Sequence, residues 1–309
     1  MAKEVKHIDF RDQIARNKRN SVFLLIVVFL VLIGIGWIIG KAINADFFIF
    51  MTIFSLFSIF YIWITYYYSS NIALWSVGAV VADYVKYKQL YNIVEGLSIA
   101  SGLPMPKIYI MNQEPINAFA TGRNPRESVV CVTSGALDKL SRDELEGVLA
   151  HELSHIRNYD IRFVTIVAVV VGLIEIIAQM FLRSMFYSSG NRDSDKGNAI
   201  FLIIGLILAI IAPILVKLVQ LAISRRREYM ADAGSVEITR YPPGLIGALG
   251  KIKKDSKPLK VNSAVAPMFI SDPAKSRIFA IFQTHPPIDS RIKILKAMWP
   301  GFKFNSLFF

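Results

Sequence analysis

Four stretches of the chain are apolar over a length that suits a lipid bilayer. They run from Ser21 to Gly40, from Asp46 to Ser70, from Ile161 to Leu182 and from Ala199 to Ile223. Each holds about 20 mostly apolar residues, and a helix of that length crosses a hydrocarbon core of about 30 Å. Buried helices of a soluble protein would need an improbably large core to hide four such runs. The pattern therefore predicts four transmembrane helices.

The composition supports a membrane protein. Of the 309 residues, 54% are hydrophobic and 19% are charged, and the mean hydropathy is +0.45. These values exclude the disordered and fibrous classes, and a soluble chain of this size could not bury so much apolar surface. The single cysteine also excludes a disulfide scaffold, because one thiol cannot form an intrachain bridge.

The basic residues predict how the chain is oriented. Six Lys and Arg residues lie in the first 20 positions, and Arg225 to Arg227 follow the fourth apolar stretch. Because Lys and Arg are retained on the cytoplasmic side, both clusters should be cytoplasmic, which an even number of spans allows. This retention also explains the net charge of +12, so no nucleic-acid partner is expected.

The predicted spans divide the chain into five portions. These are a cytoplasmic N-terminal segment at 1–20, two transmembrane helices in 21–70, a first cytoplasmic portion at 71–160, two further transmembrane helices in 161–223 and a second cytoplasmic portion at 224–309. The multi-pass chain would therefore have both termini and both soluble portions in the cytoplasm.

The first cytoplasmic portion has the pattern of a mixed α+β layer. The segment from Tyr84 to Ala100 is typical of a helix. Lys107 to Met111, Ala118 to Thr121 and Ser128 to Val132 alternate or run apolar like short strands, and Pro, Gly and Asn separate them. We therefore expect a small β-sheet that precedes, in the sequence, the segment with the candidate catalytic residues.

The strongest chemical signal is the run His151-Glu152-Leu153-Ser154-His155, which has the pattern H-E-x-x-H. Ser141 and Glu144 form a capping box before it, so the motif should lie on an amphipathic helix. The two histidines are then one turn apart on one side, where both can reach one Zn²⁺. Glu152 lies beside them and suits a base that takes a proton from metal-bound water.

Catalytic zinc needs a third protein ligand and leaves its fourth position to water. Glu228 and Asp232 are one turn apart on a segment that continues from the fourth span. One of the two carboxylates could bind the metal, and the other could hold a ligand imidazole by its second N–H. Alternatively, both could pair with Arg225 to Arg227 on a solvated helix face.

A further histidine, His285, precedes Pro286 and Pro287, with Arg291 six residues later. The two prolines can open a helix, so His285 should lie near a helix N-terminus. A donor at that position could stabilise an oxyanion. From the residues alone, an ordinary helix-capping turn is the favoured interpretation.

Taken together, these motifs resemble the HtpX-type membrane zinc metalloproteases, which belong to the same broad clan as the CAAX prenyl proteases. The resemblance covers nearly the whole chain, and its blocks keep their order and spacing. Besides the H-E-x-x-H motif with Asp160, they are Gly102 to Pro106, Asn117 to Gly122, Val132 to Gly135, Ser224 to Asp232 and Thr284 to Pro287.

The resemblance implies roles for several residues around one Zn²⁺ per subunit. His151, His155 and Glu228 would be the metal ligands, and Asp232 would hold a ligand imidazole. His285, helped by Arg291, would stabilise the transition state. The segment Asn117, Ala118, Phe119 and Ala120 would be an edge strand that binds substrate as an added strand. The implied fold is a membrane α+β protein with four transmembrane helices and a cytoplasmic zincin-like metalloprotease domain.

The resemblance also implies a function at the cell membrane. The expected activity is endoproteolysis of misfolded or damaged membrane proteins in stress response and protein quality control, with the lipid bilayer and unfolded substrates as partners. One alternative is a CAAX-type prenyl protease, which should have more than four spans and an enclosed chamber. Another is a catalytically silent, zinc-bearing membrane adaptor, which should have a damaged site. The oligomeric state is open.

Overall fold

The structure, a computed structural model, describes residues 10–42, 46–170, 225–255, 257–259, 261, 265–271 and 286–299. The helices are α1 (Phe10–Ala42), α2 (Phe47–Ser76), α3 (Lys88–Ser101), α4 (Ser134–Lys139), α5 (Arg142–Arg157), α6 (160–170), α7 (Arg225–Thr239), α8 (Pro242–Lys254) and α9 (Ile288–Ala297). The strands are β1 (Val80–Val81), β2 (Lys107–Met111), β3 (Ala118–Gly122) and β4 (Ser128–Thr133).

Helices α1 and α2 pack against each other, and both are long and apolar enough to cross a membrane. Large apolar side chains such as Phe48, Leu56 and Phe60 face outward on α2, as a helix surrounded by lipid requires. These helices coincide with the first two predicted spans. Of the third span only 161–170 is described, and it is helical; its remainder, the loop at 183–198 and the fourth span lie outside the described residues.

Helix α2 continues to Ser76, six residues beyond the predicted end of its span at Ser70. The reason is packing: Ala73 and Leu74 are buried in a cluster that also contains Phe119 and Phe269. The last turns of α2 therefore belong to the core of the α+β domain, which makes a rigid connection between that domain and the apolar helix.

The sheet has four strands in the order β1-β2-β4-β3. Strand β2 runs parallel to β4, whereas β1 and β3 are antiparallel to their neighbours. The predicted strands β2, β3 and β4 are confirmed, and β1 adds a short strand that the sequence pattern does not predict. The predicted helix at Tyr84 to Ala100 starts later, at Lys88, because 84–87 form a turn in which Asp83 accepts a hydrogen bond from the Lys86 N–H.

Helix α5 lies at the centre of the domain and contacts β3, α3, α7 and α8. Its start is the capping box that the sequence predicts, with Ser141 and Glu144 each accepting a hydrogen bond from the other's backbone N–H. Leu149 and Leu153 are fully buried in the main core cluster. Because it is packed on several sides, α5 is held rigidly in position.

The approach of α8 to α5 is closest at Gly147. A Cβ atom on this glycine would lie 2.4 Å from the backbone nitrogen of Leu245 and 2.8 Å from its Cα. The Gly147 carbonyl also accepts a hydrogen bond from the Ser235 hydroxyl of α7, at 2.9 Å. Three helices therefore meet at one residue that has no side chain.

We expect the substitution Gly147→Ala to lower the free energy of unfolding by about 1–3 kcal/mol, because α5 and α8 must separate to admit a methyl group. The matched control is Gly250→Ala in α8, where a Cβ meets nothing within 4 Å. It should stabilise the helix by up to about 1 kcal/mol. Chemical unfolding of both variants in detergent measures the difference, and equal stabilities would contradict the packing described.

Candidate metal centre

Two imidazoles and one carboxylate converge on a single point in the domain. Their ligand atoms, from His151, His155 and Glu228, all lie within 4.8 Å of one another. The histidines are one turn apart on α5, and Glu228 comes from the first turn of α7. The Glu228 carboxylate lies 3.7 Å from Nε2 of His151 and 3.6 Å from Nε2 of His155. Two nitrogens and a carboxylate oxygen are a donor set that suits a catalytic zinc ion.

The other ring nitrogen of each histidine faces a second carboxylate. Nδ1 of His151 lies 3.1 Å from Oδ1 of Asp232, and Nδ1 of His155 lies 3.0 Å from Oδ2 of Asp160. A metal-binding histidine usually donates its second N–H to such a group, which fixes the tautomer and the ring orientation. Each imidazole is therefore turned so that Nε2 faces the centre.

The arrangement bears on the alternatives that the sequence leaves open for Glu228 and Asp232. Both side chains are buried, so they do not form a solvated face with the preceding arginines. Glu228 lies on the Nε2 side of both histidines, and Asp232 on the Nδ1 side of His151. A contact between α7 and α5 helps to set this geometry, because a Cβ on Gly234 would lie 2.1 Å from Oγ of Ser154.

Arg291 reaches the same cluster from α9 and is fully buried. Its Nε and Nη2 donate to the two carboxylate oxygens of Asp232, at 2.9 and 2.6 Å, and its Nη1 donates to the carbonyl of Ile270 at 3.0 Å. The guanidinium thus binds Asp232 with the planar, two-bond geometry that arginine forms with carboxylates. Its expected help at the oxyanion stays a prediction, and His285 lies outside the described residues.

Burial and charge set the protonation of these groups. Burial and Arg291 oppose a proton on His151, yet hydrogen bonds with Asp232 and Glu228 prevail and raise its pKa to about 9. Burial would raise the pKa of Asp232, but the charge of Arg291 keeps it below the ordinary value. Asp232 therefore stays an ionised partner for the imidazole.

Glu152 lies next to His151 on α5 and is also buried. Burial raises the pKa of its carboxyl group, whereas the two neighbouring histidines and a hydrogen bond from the backbone of Ala120 lower it. The net direction is upward. A carboxylate with a raised pKa accepts and returns a proton more readily near neutral pH.

Strand β3 lies at one edge of the sheet, and its outer side is partly covered. The N–H of Ile270 donates to the carbonyl of Ala118 at 3.0 Å, and Phe269 pairs with Phe119 in an antiparallel bridge. The Asn117 side chain donates to the carbonyl of Ser271. Residues 269–271 of the chain itself therefore pair with the edge of β3 that the family resemblance assigns to substrate.

Sequence reasoning assigned no role to Asp160 or to the 269–271 segment. Asp160 follows His155 by five residues, and this position just past the end of the helix is the sequence feature that could have indicated its contact with the imidazole. The rings of Phe269 and Phe119 are in contact, with centroids 4.9 Å apart, although the two residues are distant in the sequence. No local pattern marks such a contact.

Two histidines and a glutamate that could hold a metal, with a second glutamate beside them, are typical of metalloproteases. Comparison with known proteins agrees: residues 85–299 match Peptidase family M48. The chain belongs to this family, and it is a membrane metalloprotease whose substrates are proteins.

Several curated proteins are similar to the chain over almost their full length. The Protease HtpX homolog of Caldanaerobacter subterraneus subsp. tengcongensis is 46% identical over 293 residues, covering 92% of this chain and 96% of the relative. The Protease HtpX homolog of Dictyoglomus turgidum is 44% identical over 301 residues, covering 97% and 98%. Among solved structures, S. mikatae Ste24p is similar with a TM-score of 0.47 and 19% identity, over 91% of this chain and 66% of that chain.

We expect Arg291→Ala to lower the free energy of unfolding by about 3–5 kcal/mol, because the Asp232 carboxylate loses both hydrogen bonds from the guanidinium while remaining buried. The control is Lys293→Ala, which removes an exposed cation from the same helix and should change stability by less than about 0.5 kcal/mol. The free energy of unfolding of both variants is measured on the metal-free protein in detergent. Equal effects would show that Asp232 does not depend on this guanidinium.

Proposed function

We propose that the chain is a zinc-dependent endopeptidase that cleaves misfolded or damaged membrane proteins as part of protein quality control. The observation that carries this proposal is the convergence of His151, His155 and Glu228, with Asp160 and Asp232 directing the two imidazoles. Two ligands come from α5 and one from α7, on either side of the apolar stretches in 161–223.

The same residues suggest a mechanism for peptide hydrolysis. A zinc ion held by His151, His155 and Glu228 would supply a Lewis acid for the scissile carbonyl and for a water molecule. Glu152 takes the proton of that water and passes it to the leaving amine. Asp232, fixed by Arg291, keeps His151 in the orientation that binds metal. In this mechanism His285 donates a hydrogen bond to the developing oxyanion.

The topology proposed for the chain is multi-pass, with four spans and with both termini and the catalytic portions, 71–160 and 224–309, in the cytoplasm. The basic residues of the first 20 positions and the run Arg225 to Arg227 support this orientation. Helix α2 runs directly from its predicted span into the core of the domain. The metal centre would then lie close to the membrane surface.

Substrate binds in this proposal as an extended strand on β3, whose backbone groups would pair with the substrate backbone. The carbonyl of Ala118 already accepts a hydrogen bond from Ile270, so this segment must first leave the edge. The backbone of Ala120, two residues further along the same strand, lies close to the Glu152 carboxylate. A substrate held there would lie beside the proposed base.

The substitution Glu152→Gln should reduce cleavage of an unfolded membrane protein to the background rate while leaving bound zinc unchanged, because the amide cannot accept the proton. Glu146→Gln, on the same helix outside the metal centre, is the control and should stay active. Cleavage is followed by gel and zinc by elemental analysis, with a chelator added to the wild type. Full activity of Glu152→Gln would refute the assignment.

The displacement of the 269–271 segment is tested by locking it in place. Because Nδ2 of Asn117 lies 3.4 Å from Oγ of Ser271, cysteines are placed at both positions in a Cys131→Ala background and oxidised with diamide, and loss of free thiols verifies that the disulfide has formed. We expect the oxidised double variant to cleave at least about tenfold more slowly than the same protein after reduction, since the substrate edge stays covered. Equal rates in the two states would show that substrate binds elsewhere.

A further inference from the structure

A side chain of the first apolar helix reaches the metal centre. Asn17 of α1 is buried, and its Nδ2 donates to Oδ1 of Asp160 at 2.6 Å and to the carbonyl of Asn158 at 2.9 Å. The other oxygen of Asp160, Oδ2, lies 3.0 Å from Nδ1 of His155. A continuous chain of polar contacts thus runs from α1 through Asp160 to a proposed metal ligand.

The backbone after α5 explains how Asp160 comes to lie there. The helix ends at Arg157, and Tyr159 adopts a φ of 58°, a left-handed conformation that turns the chain back. Asp160 then begins α6 and faces the last turn of α5. The left-handed conformation is costly for a residue other than glycine, so surrounding contacts must hold the turn.

Helix α1 supplies such contacts. Besides the two hydrogen bonds of Asn17, the Lys18 ammonium lies 4.2 Å from the centre of the Tyr159 ring. Further along the helix, Leu24 and Val28 pack with Phe163 and other apolar side chains of α6. These contacts of α1 with Tyr159 and with α6 fix the position of Asn17 relative to the turn.

The amide matters because Asp160 is almost completely buried. The hydrogen bond from Asn17 to Oδ1 opposes rotation of the carboxylate about its Cβ–Cγ bond and keeps Oδ2 directed at the imidazole, with the charge of Arg227 nearby. Without the amide, one oxygen would lose its hydrogen bond inside the protein, and the group would reorient to recover one. The ring of His155 would lose a fixed partner.

We propose that Asn17 is a positioning residue for the metal centre and that the first apolar helix sets the orientation of His155 through Asp160. The proposal rests on the proposed function, in which His155 binds the metal. It gives α1 a part in the site beyond anchoring, because Asn17 belongs to the same helix that the sequence assigns to the membrane.

The test compares Asn17→Leu with Asn20→Leu in the full-length protein in detergent. Both replace an asparagine of α1 with a leucine of similar size, but only the first removes the donor to Asp160. We expect Asn17→Leu to bind zinc about tenfold more weakly, which is the lower range for losing an outer partner of a ligand histidine. Chelator competition measures the zinc affinity, and the visible spectrum of the Co²⁺-substituted protein should change as well.

A double-mutant comparison separates positioning from a general loss of stability. In an Asp160→Ala background, Asn17→Leu should cause no further loss of zinc affinity, because the residue through which it acts is gone. A purely structural role would lower the unfolding midpoint in both backgrounds and leave the zinc affinity of Asn17→Leu at the wild-type value. That result would overturn the proposal.

The outcomes also separate this inference from the proposed function. If the wild type binds zinc and Asn17→Leu binds it equally well with an unchanged Co²⁺ spectrum, the positioning role is wrong and the metalloprotease assignment stands. If the wild type itself binds no zinc, both are overturned. Asn17→Ala, which adds no bulk, gives the same reading should the leucine variant not fold.

Discussion

The metal centre depends on which nitrogen of each histidine faces inward. A neutral imidazole has one protonated and one free nitrogen, and a buried carboxylate beside Nδ1 favours the proton there. Asp232 and Asp160 provide this for His151 and His155, so both Nε2 atoms face Glu228. The rest of the domain, from the close packing of α5 at Gly147 to the bidentate contact of Arg291, keeps these carboxylates in place.

The same constraint joins the site to the membrane part of the chain. Asp232 lies on α7, which follows the predicted fourth span, and Asp160 begins α6, the start of the predicted third span. Asn17 adds a contact from α1, and α2 contributes Ala73 and Leu74 to the domain core. A soluble zincin domain with appended anchors would not need such contacts, whereas here the apolar helices help to form the site.

The features predicted correctly from the sequence are those that depend on short-range patterns. The capping box at Ser141, the alternation of β2 and β4 and the one-turn spacing from Glu228 to Asp232 all depend on residues close together in the chain. Strand β1 has only two residues, too few for any periodicity. The contacts of Asn17 with Asp160 and of Phe269 with Phe119 join residues more than 140 positions apart, and nothing in either segment alone marks them.

Ile270 uses both of its backbone polar groups at the site, since its N–H bonds to Ala118 and its carbonyl accepts from Arg291. A peptide that took over the edge of β3 would therefore also detach one arm of the guanidinium. That arm would become available to the incoming chain, whose own carbonyl could replace the one withdrawn. Occupancy of the β3 edge is therefore coupled, through the backbone of Ile270, to the Arg291 side chain that also binds Asp232.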